Sequence, residues 1–324
     1  MITYIVKRLL NLLPVFLGIT LISFAVMHLA PGKPTDLMME MNPKAAHEAQ
    51  ERLDEIFGLD RPLHVQYIDW LRKILVLDFG TSFVDGRPVL QKIAQRLPIT
   101  IFINLLAMIV IIAAAVPIGV KSAVARGGLF DKASTIFVFA GFAMPSFWLA
   151  LILMSFFSVR LGWFPVSGIT SLDFENFSFF KKVFDVAHHM VLPIIVASIG
   201  GFAGFSRYMR QSMLGVLGQD YIRTARAKGL PESTVIYGHA LKNALLPIVT
   251  ILGLSIPGLI SGSVIFESIF NIPGMGRLMV ESVFTRDYNT VMAGLVLAAL
   301  LTLLGNLIAD LAYFYIDPRI KAEG

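Results

Sequence analysis

The chain has 324 residues, no cysteine and a formal net charge of +5, and its mean hydropathy is +0.73. Charged residues make up 15% of the chain and apolar residues 56%, whereas soluble domains carry about 25% charged residues. A soluble fold of this length would lack the charges that a water-facing surface requires, so the composition indicates a membrane protein. The absence of cysteine excludes a disulfide scaffold, a cysteine nucleophile and thiolate metal sites.

Six long runs contain no Asp, Glu, Lys or Arg, and about 20 apolar residues are enough for a helix to cross the hydrocarbon core. The fourth run is short and rich in glycine, which favours close helix packing. The pattern predicts an all-α polytopic membrane protein with six transmembrane helices, within Leu9–Ala30, Ile99–Val120, Ala133–Val159, Met190–Ser206, Ala244–Phe266 and Val291–Ala309.

The first run, in residues 1–30, follows Lys7 and Arg8 and could be compared with a secretory signal. Signal peptides have apolar regions of only about 7–15 residues. The run is longer than that and ends in Ala-Pro-Gly without a small-x-small cleavage pattern. It is therefore expected to be a retained N-terminal transmembrane helix.

The basic residues indicate the orientation. The two termini and the loops after the second and fourth runs carry 13 Lys and Arg, while the two short loops on the other side carry five. Because Lys and Arg concentrate on the cytoplasmic side, both termini are predicted to be cytoplasmic. The basic charge is thereby explained without nucleic acid.

Residues 31–98 are then predicted to form a small extracytoplasmic helical insertion. Ala45–Phe57 has helical spacing and is followed by Gly58, and a second helix is expected from Pro62. The apolar face of this second helix would consist of Val65, Ile68, Leu71, Ile74 and Leu75. The insertion could form a cap over the external mouth of the protein or a structural plug that does not contact a solute.

Residues 94–317 form the predicted transmembrane core, which includes a basic cytoplasmic loop at 207–243. A helix is predicted over Met213–Lys228, with Gly229 ending it and Pro231 opening another. The loop is therefore expected to be a helical hairpin with one apolar face. The residues alone leave open whether this face docks a partner, packs on the protein's own spans or lies in the lipid interface.

Two segments of this loop, DYIRTARAKGL at 220–230 and HALKNALLP at 239–247, resemble the cytoplasmic loop of binding-protein-dependent ABC importer permeases. The likeness is to the dipeptide, oligopeptide and nickel group, and in particular to its B-type permease. It extends over seven further blocks, at 14–34, 58–62, 78–83 (DFGTSF), 144–148 (MPSFW), 164–168, 271–278 (NIPGMGRL) and 286–288.

The resemblance implies that this loop binds a groove on an ATP-hydrolysing subunit. Placing Gly229 on the glycine of the family signature matches Ala225 as well, whereas Arg223 and Thr224 depart from it and Lys242 stands where the wider family has proline. The implied coupling residues are Arg223, Thr224, Ala225, Arg226, Lys228 and Gly229. The turn with Pro273, Gly274 and Gly276 resembles a family loop near the docked binding protein.

The implied partners are a second homologous permease, two ATP-binding subunits, an extracytoplasmic solute-binding protein and membrane lipid, without nucleic acid. The chain has no Gly-x-x-x-x-Gly-Lys-Ser/Thr phosphate loop, so ATP and Mg are expected on the partner subunits and no cofactor on this chain. The expected location is the cytoplasmic membrane of a bacterium or archaeon. Peptides are the favoured solute, with nickel chelates and glutathione as alternatives.

The residues fit two other classes of function less well. An ion-coupled secondary transporter normally carries ionisable residues inside its spans, but here Glu267 and Asp310 lie just beyond the charge-free runs. An intramembrane hydrolase would need a nucleophile with a base, or metal ligands, but His188 and His189 are adjacent and diverge on a helix. Four prolines could kink spans and free carbonyls that line a cavity, namely Pro145, Pro193, Pro247 and Pro257.

Overall fold

The structure is a computed structural model that describes residues 2–29 and 61–316, with side chains placed for 10–26, 28–29, 61–256 and 258–308. The predicted external helix Ala45–Phe57 lies outside the described residues. So do Met1 and residues 317–324, and the side chain of Asp310.

The described residues are mainly helical, with one isolated antiparallel bridge between Thr81 and Pro88. A 3₁₀ turn covers Phe174–Asn176, and π-helical segments cover Met154–Arg160 and Thr234–Ala240. The α-helices in chain order are α1 Ile2–Leu29, α2 Leu63–Leu75, α3 Val89–Val124, α4 Leu129–Ala143, α5 Ser146–Leu153, α6 Phe179–Leu217, α7 Asp220–Ala227, α8 Leu241–Ala244, α9 Leu246–Ser255, α10 Val264–Ile269, α11 Met275–Phe284 and α12 Tyr288–Ile316.

Three helices are long and apolar enough to cross a membrane: α3, α6 and the Tyr288–Ile308 part of α12. Two bent helix pairs raise the number of candidate spans among the described residues to five. Helix α1 covers 28 residues, Ile2–Leu29, and its stretch Leu10–Val26 is apolar. The predicted helices at 99–120, 190–206 and 291–309 are confirmed, while the total of six spans and the orientation stay predictions.

The predicted run 133–159 is not one straight helix, and the kink expected at Pro145 is present. The chain bends by 100° between α4 and the helical segment Ser146–Arg160. Met144 adopts an extended conformation (φ −81°, ψ 128°) because the ring of the following Pro145 disfavours the helical conformation there. Of the other prolines, Pro193 lies inside α6 without ending it.

The run at 244–266 is likewise not one helix. Helix α9 begins beside Pro247 after a 41° bend, passes into a 3₁₀ turn at Ile256–Leu259, and is separated from α10 by irregular backbone at 260–263. Hydropathy alone cannot detect such a break, because the irregular residues are also apolar or small.

Helices α3 and α6 pack closely through glycines on both sides. A Cβ atom added to Gly119 would lie 2.6 Å from Cβ of Met209, and one added to Gly201 would lie 2.5 Å from Cδ1 of Ile111. At Gly119 the neighbours are a Cβ atom and the carbonyl oxygen of Ser206, so the helices approach there only because the residue is glycine. At Gly201 the neighbour is the end of the Ile111 side chain, which can change its rotamer. The close packing expected of the glycine-rich fourth run is confirmed at Gly201.

The described part of the predicted insertion packs on the rest of the chain. Helix α2 begins after Pro62, as predicted, and its Ile74 is buried. Ile74 and Phe79 join a core cluster with Val89, Met275 and Val296, from α3, α11 and α12. Ile68 and Leu75, which were predicted on the apolar face, are largely exposed, so that face is narrower than the spacing indicated.

Candidate functional site

The predicted helix Met213–Lys228 is wrong, because the chain breaks between α6 and α7. Helix α6 ends at Leu217, and Gly218 is its C-cap residue. Gln219 then adopts an extended conformation before α7 starts at Asp220. A continuous helix would carry Ile222 away from the helix bundle, whereas the break turns α7 back onto it. We call residues 219–240 the basic hairpin.

The turn of the basic hairpin depends on Gly229, which has a φ of +77°. Its N–H donates to the carbonyl of Arg226 at 2.9 Å. A Cβ atom at this position would contact nothing within 4 Å, so the constraint on residue type is the left-handed backbone and not space. The carbonyl of Pro231 then accepts the N–H groups of Thr234 and Val235 as the second helical segment begins. The predicted helix–glycine–helix geometry is confirmed.

One face of α7 is buried against the protein's own helices. Ile222 is fully buried and Ala225 is 7% exposed. They belong to a core cluster with residues of α3, α6 and the π-helical segment, including Val120, Ala123, Met209, Met213, Val235 and Ile236. The hairpin is therefore anchored to the ends of the two longest helices, and any displacement of α7 acts directly on them.

The opposite face of α7 is exposed and basic. Of the six residues that the resemblance selected, five are exposed: Arg223, Thr224, Arg226, Lys228 and Gly229. Ala225 differs, because it points into the core and cannot form part of an exposed contact surface. The side chain of Arg223 is 73% exposed and lies 3.4 Å from Asp220, measured from guanidinium nitrogen to carboxylate oxygen.

An ion pair that was not predicted from the sequence spans the glycine turn. The guanidinium of Arg226 donates to the two carboxylate oxygens of Glu232 at 2.7 Å and 3.2 Å. The hydrogen bond to Arg226 lowers the pKa of Glu232, and the same hydrogen bond raises the pKa of Arg226. The pair thus stays charged at neutral pH. The signal in the sequence that could have indicated this ion pair is the presence of opposite charges on the two sides of Gly229.

Asn243 is a second missed residue. Its side-chain Nδ2 donates to the Tyr221 hydroxyl at 2.9 Å and to the carbonyl of His239 at 3.2 Å. Tyr221 itself is 43% exposed. The contact ties the start of α7 to α8, so both ends of the basic hairpin are fixed.

The predicted external turn at Pro273, Gly274 and Gly276 packs around a buried carboxylate. Glu267 is 3% exposed, and its Oε2 accepts the N–H of Arg277 at 2.8 Å. A Cβ atom at Gly274 would lie 2.4 Å from Cδ of Glu267, and one at Gly276 would lie 2.7 Å from the backbone nitrogen of Val264. Both glycines are buried and Pro273 is half-buried, so close packing explains the two glycines without an external partner.

The histidines are placed separately. His188 contacts the carbonyl of Trp163 and His189 that of Asp185, while Nδ1 of His28 lies 2.9 Å from the carbonyl of Phe24. Within residues 2–29 and 61–316, no group of three or more His, Asp or Glu residues is arranged to hold a metal ion. The most distinctive feature is the basic hairpin, which has one buried and one exposed face and lies between helical spans. Together with the candidate spans, it defines the class as a polytopic helical membrane protein with an anchored basic loop.

The comparison with known families specifies this class. Residues 115–322 match the family described as binding-protein-dependent transport system inner membrane component, and residues 1–104 match the N-terminal family of the same transport systems. The chain belongs to this family of inner-membrane permeases.

Curated relatives match over the full length. The chain is 46% identical to the oligopeptide transport system permease protein AppB of Bacillus subtilis, over 99% of this chain and 100% of that protein. It is 38% identical to the di/tripeptide transport system permease protein DppB of Pseudomonas aeruginosa, over 100% of both chains. It is also 37% identical to the glutathione transport system permease protein GsiC of Salmonella choleraesuis, over 99% of both chains.

Proposed function

We propose that this chain is one of two permease subunits in an ATP-driven, binding-protein-dependent importer of peptides, and that it forms half of the translocation pathway. The full-length similarity to permeases named for oligopeptide and di/tripeptide transport supports this function. The other components are a homologous permease, two ATP-binding subunits that carry ATP and Mg, and an extracytoplasmic solute-binding protein. The complex lies in a bacterial cytoplasmic membrane.

In the proposed topology the chain crosses the membrane six times, with both termini in the cytoplasm. The basic hairpin is then cytoplasmic and residues 31–98 are extracytoplasmic. This orientation agrees with the excess of Lys and Arg in the segments assigned to the cytoplasm. In this topology the segment around Pro273, Gly274 and Gly276 lies on the external side. Because both glycines are buried, the part of this segment that would meet the solute-binding protein is its exposed edge at Asn271.

The basic hairpin is proposed to couple ATP hydrolysis to transport. The observation that carries this role is its two-sided structure: an exposed face with Arg223, Thr224 and Lys228, and a buried face with Ile222 and Ala225. An ATPase bound to the exposed face would displace α7, and the buried face would pass that movement to α3 and α6. Hairpin motion would then alternate the pathway between inward-open and outward-open states.

The test is uptake into proteoliposomes that contain this chain with its partner permease and ATPases, supplied with peptide-loaded binding protein. Labelled di- or oligopeptide should accumulate only with ATP inside. Unlabelled glutathione serves as a competitor, because a relative carries that name. Uptake that follows a proton gradient without ATP would instead establish a secondary transporter, and glutathione transport without peptide transport would replace the proposed solute.

A further inference from the structure

A small cavity lined in part by polar side chains lies between α3, α6 and the two chain breaks, and none of its lining residues belongs to the basic hairpin. Its volume is about 240 Å³, and the polar side chains that line it are Thr100, Asn104, Ser146, Ser263 and Glu267. Gly200 of α6 also lines it. The cavity is therefore bordered by four helical spans of the predicted core.

The two interrupted spans meet at this cavity. Ser146 is the first residue of α5, directly after the break at Pro145. Ser263 is the last irregular residue before α10. Both breaks lie inside the charge-free runs 133–159 and 244–266, so irregular backbone is present within segments whose composition is suited to the bilayer.

Asn104 of α3 forms hydrogen bonds to backbone carbonyl groups at the second break. Its Nδ2 donates to the carbonyl oxygens of Leu259 and Ser261 at 3.0 Å and 3.1 Å. Since only the amide nitrogen can donate to carbonyls, this contact fixes the orientation of the side chain. No described residue donates to Oδ1 of Asn104, which is left as an acceptor beside the cavity.

Glu267 does not present a free charge to the cavity. Its Oε2 accepts the N–H of Arg277 at 2.8 Å, and its Oε1 accepts the Thr100 hydroxyl at 3.4 Å. Both carboxylate oxygens are thus engaged at the start of α11. The groups available to a ligand are the neutral Oδ1 of Asn104 and the hydroxyls of Ser146 and Ser263.

Irregular backbone within a membrane span does not face lipid, because hydrocarbon offers its N–H and C=O groups no hydrogen bonds; it faces protein or a water-filled path. Ser146, Ser261 and Ser263 are all exposed in this chain. We propose that this surface lines the solute pathway, and that Asn104, Ser146 and Ser263 form hydrogen bonds to the backbone amides of a passing peptide. Neutral groups of this kind recognise the amide common to all peptides and not a particular side chain. The inference rests on the proposed function and adds to it the residues that contact the solute.

The test exploits the absence of cysteine from this chain. Ser146→Cys and Ser263→Cys differ from the parent by one atom, and Ile136→Cys is the control, because Ile136 is an apolar residue of α4 that is 70% exposed. Each variant is assembled into the importer in proteoliposomes and treated with a membrane-impermeant, charged methanethiosulfonate. Only a hydrated thiol ionises readily, so Ser146→Cys and Ser263→Cys are expected to react about tenfold or more faster than Ile136→Cys.

Peptide-loaded binding protein with ATP should slow the reaction at both serine positions, and unloaded binding protein should not. Labelling no faster than at Ile136→Cys, or labelling that peptide leaves unchanged, would overturn the inference. A cross-link from either cysteine to the second permease would assign the surface to the subunit interface instead. ATP-dependent uptake by the unlabelled parent is measured in the same vesicles, so a failure of the proposed function is recognised separately.

Discussion

The Ser82 hydroxyl donates a hydrogen bond of 2.5 Å to Oδ2 of Asp287, across 205 positions of the sequence. Oδ1 of Asp287 accepts the N–H of Phe83 at 3.1 Å, and Nζ of Lys92 lies 3.3 Å from Oδ2. Asp287 is fully buried. This carboxylate therefore fixes the segment that precedes α3 to the start of α12, and it brings together two of the blocks that carry the family resemblance.

Replacement of Asp287 by alanine should destabilise the protein strongly. It removes the acceptor of several donors and leaves the ammonium of Lys92, which is 10% exposed, without its buried partner; loss of one member of a buried pair costs about 3–5 kcal/mol. The measurement is thermal unfolding of the purified chain, followed by tryptophan fluorescence. The matched control is Asp69→Ala, which removes the exposed pairs with Arg61 and Arg72 and should cost about 1 kcal/mol or less. Equal shifts for the two variants would contradict the role assigned to Asp287.

Close packing of α3 on α6 leads to a second prediction. In Gly119→Ala the new Cβ would lie 2.6 Å from Cβ of Met209 and 2.9 Å from the carbonyl oxygen of Ser206. The helices must separate, and overpacking of this kind costs about 1–3 kcal/mol. Gly204→Ala is the control, because its Cβ would contact nothing within 4 Å and the substitution favours helix by about 0.5–1 kcal/mol. The unfolding temperature should fall for Gly119→Ala and hold or rise for Gly204→Ala; the reverse order would refute the packing.

The sequence predicted the elements that depend on local rules. Runs without charge located the long helices. Pro62 indicated the start of α2, and Gly229 indicated the turn of the basic hairpin. Each of these signals depends on only a few neighbouring residues. Contacts between distant segments were not predictable from one sequence. The guanidinium of Arg210 binds Asp131 at 2.7 Å and 2.8 Å over 79 positions, and no spacing rule links such partners.

Breaks in the helical segments were predicted only in part: Pro145 and Pro247 indicated two of the bends, whereas the break after α6 was missed. The spacing of Leu214, Leu217, Ile222 and Ala225 is helical throughout, yet the chain turns at Gly218 and Gln219, because this places Ile222 in the core. Tertiary burial overrides helix propensity there. The candidate coupling site was found by resemblance, and its bracing pair of Arg226 and Glu232 was identified only from the folded arrangement.

Charge reversal on the hairpin tests whether its basic face binds the ATPases. Arg223→Glu should weaken binding of the ATP-binding subunit about tenfold or more at low salt, since like charges at an interface cost several kcal/mol. The difference from the parent should shrink in 1 M salt, where the screening length is about 3 Å. The matched control is Arg160→Glu, which makes the same charge change on the segment after α5. Binding is measured by pull-down across a salt series, and equal losses for both variants would show a general charge effect.

The left-handed conformation of Gly229 gives the sharpest prediction for coupling. Gly229→Val places a β-branched residue at a φ of +77°, which costs about 1–2 kcal/mol for a residue with a Cβ atom and should distort the turn between α7 and the π-helical segment. Because the position is open, the effect comes from the backbone alone, and Gly229→Asn should be tolerated, since asparagine adopts this conformation more readily.

We expect the valine variant to insert and assemble but to hydrolyse ATP without proportional uptake, while the asparagine variant keeps the parental ratio of peptide imported to ATP hydrolysed. The ratio is measured in the same proteoliposomes by peptide uptake and phosphate release. A parental ratio in Gly229→Val would show that the hairpin turn does not transmit the movement of the ATPases, and equal loss in both variants would assign the requirement to the absent side chain and not to φ.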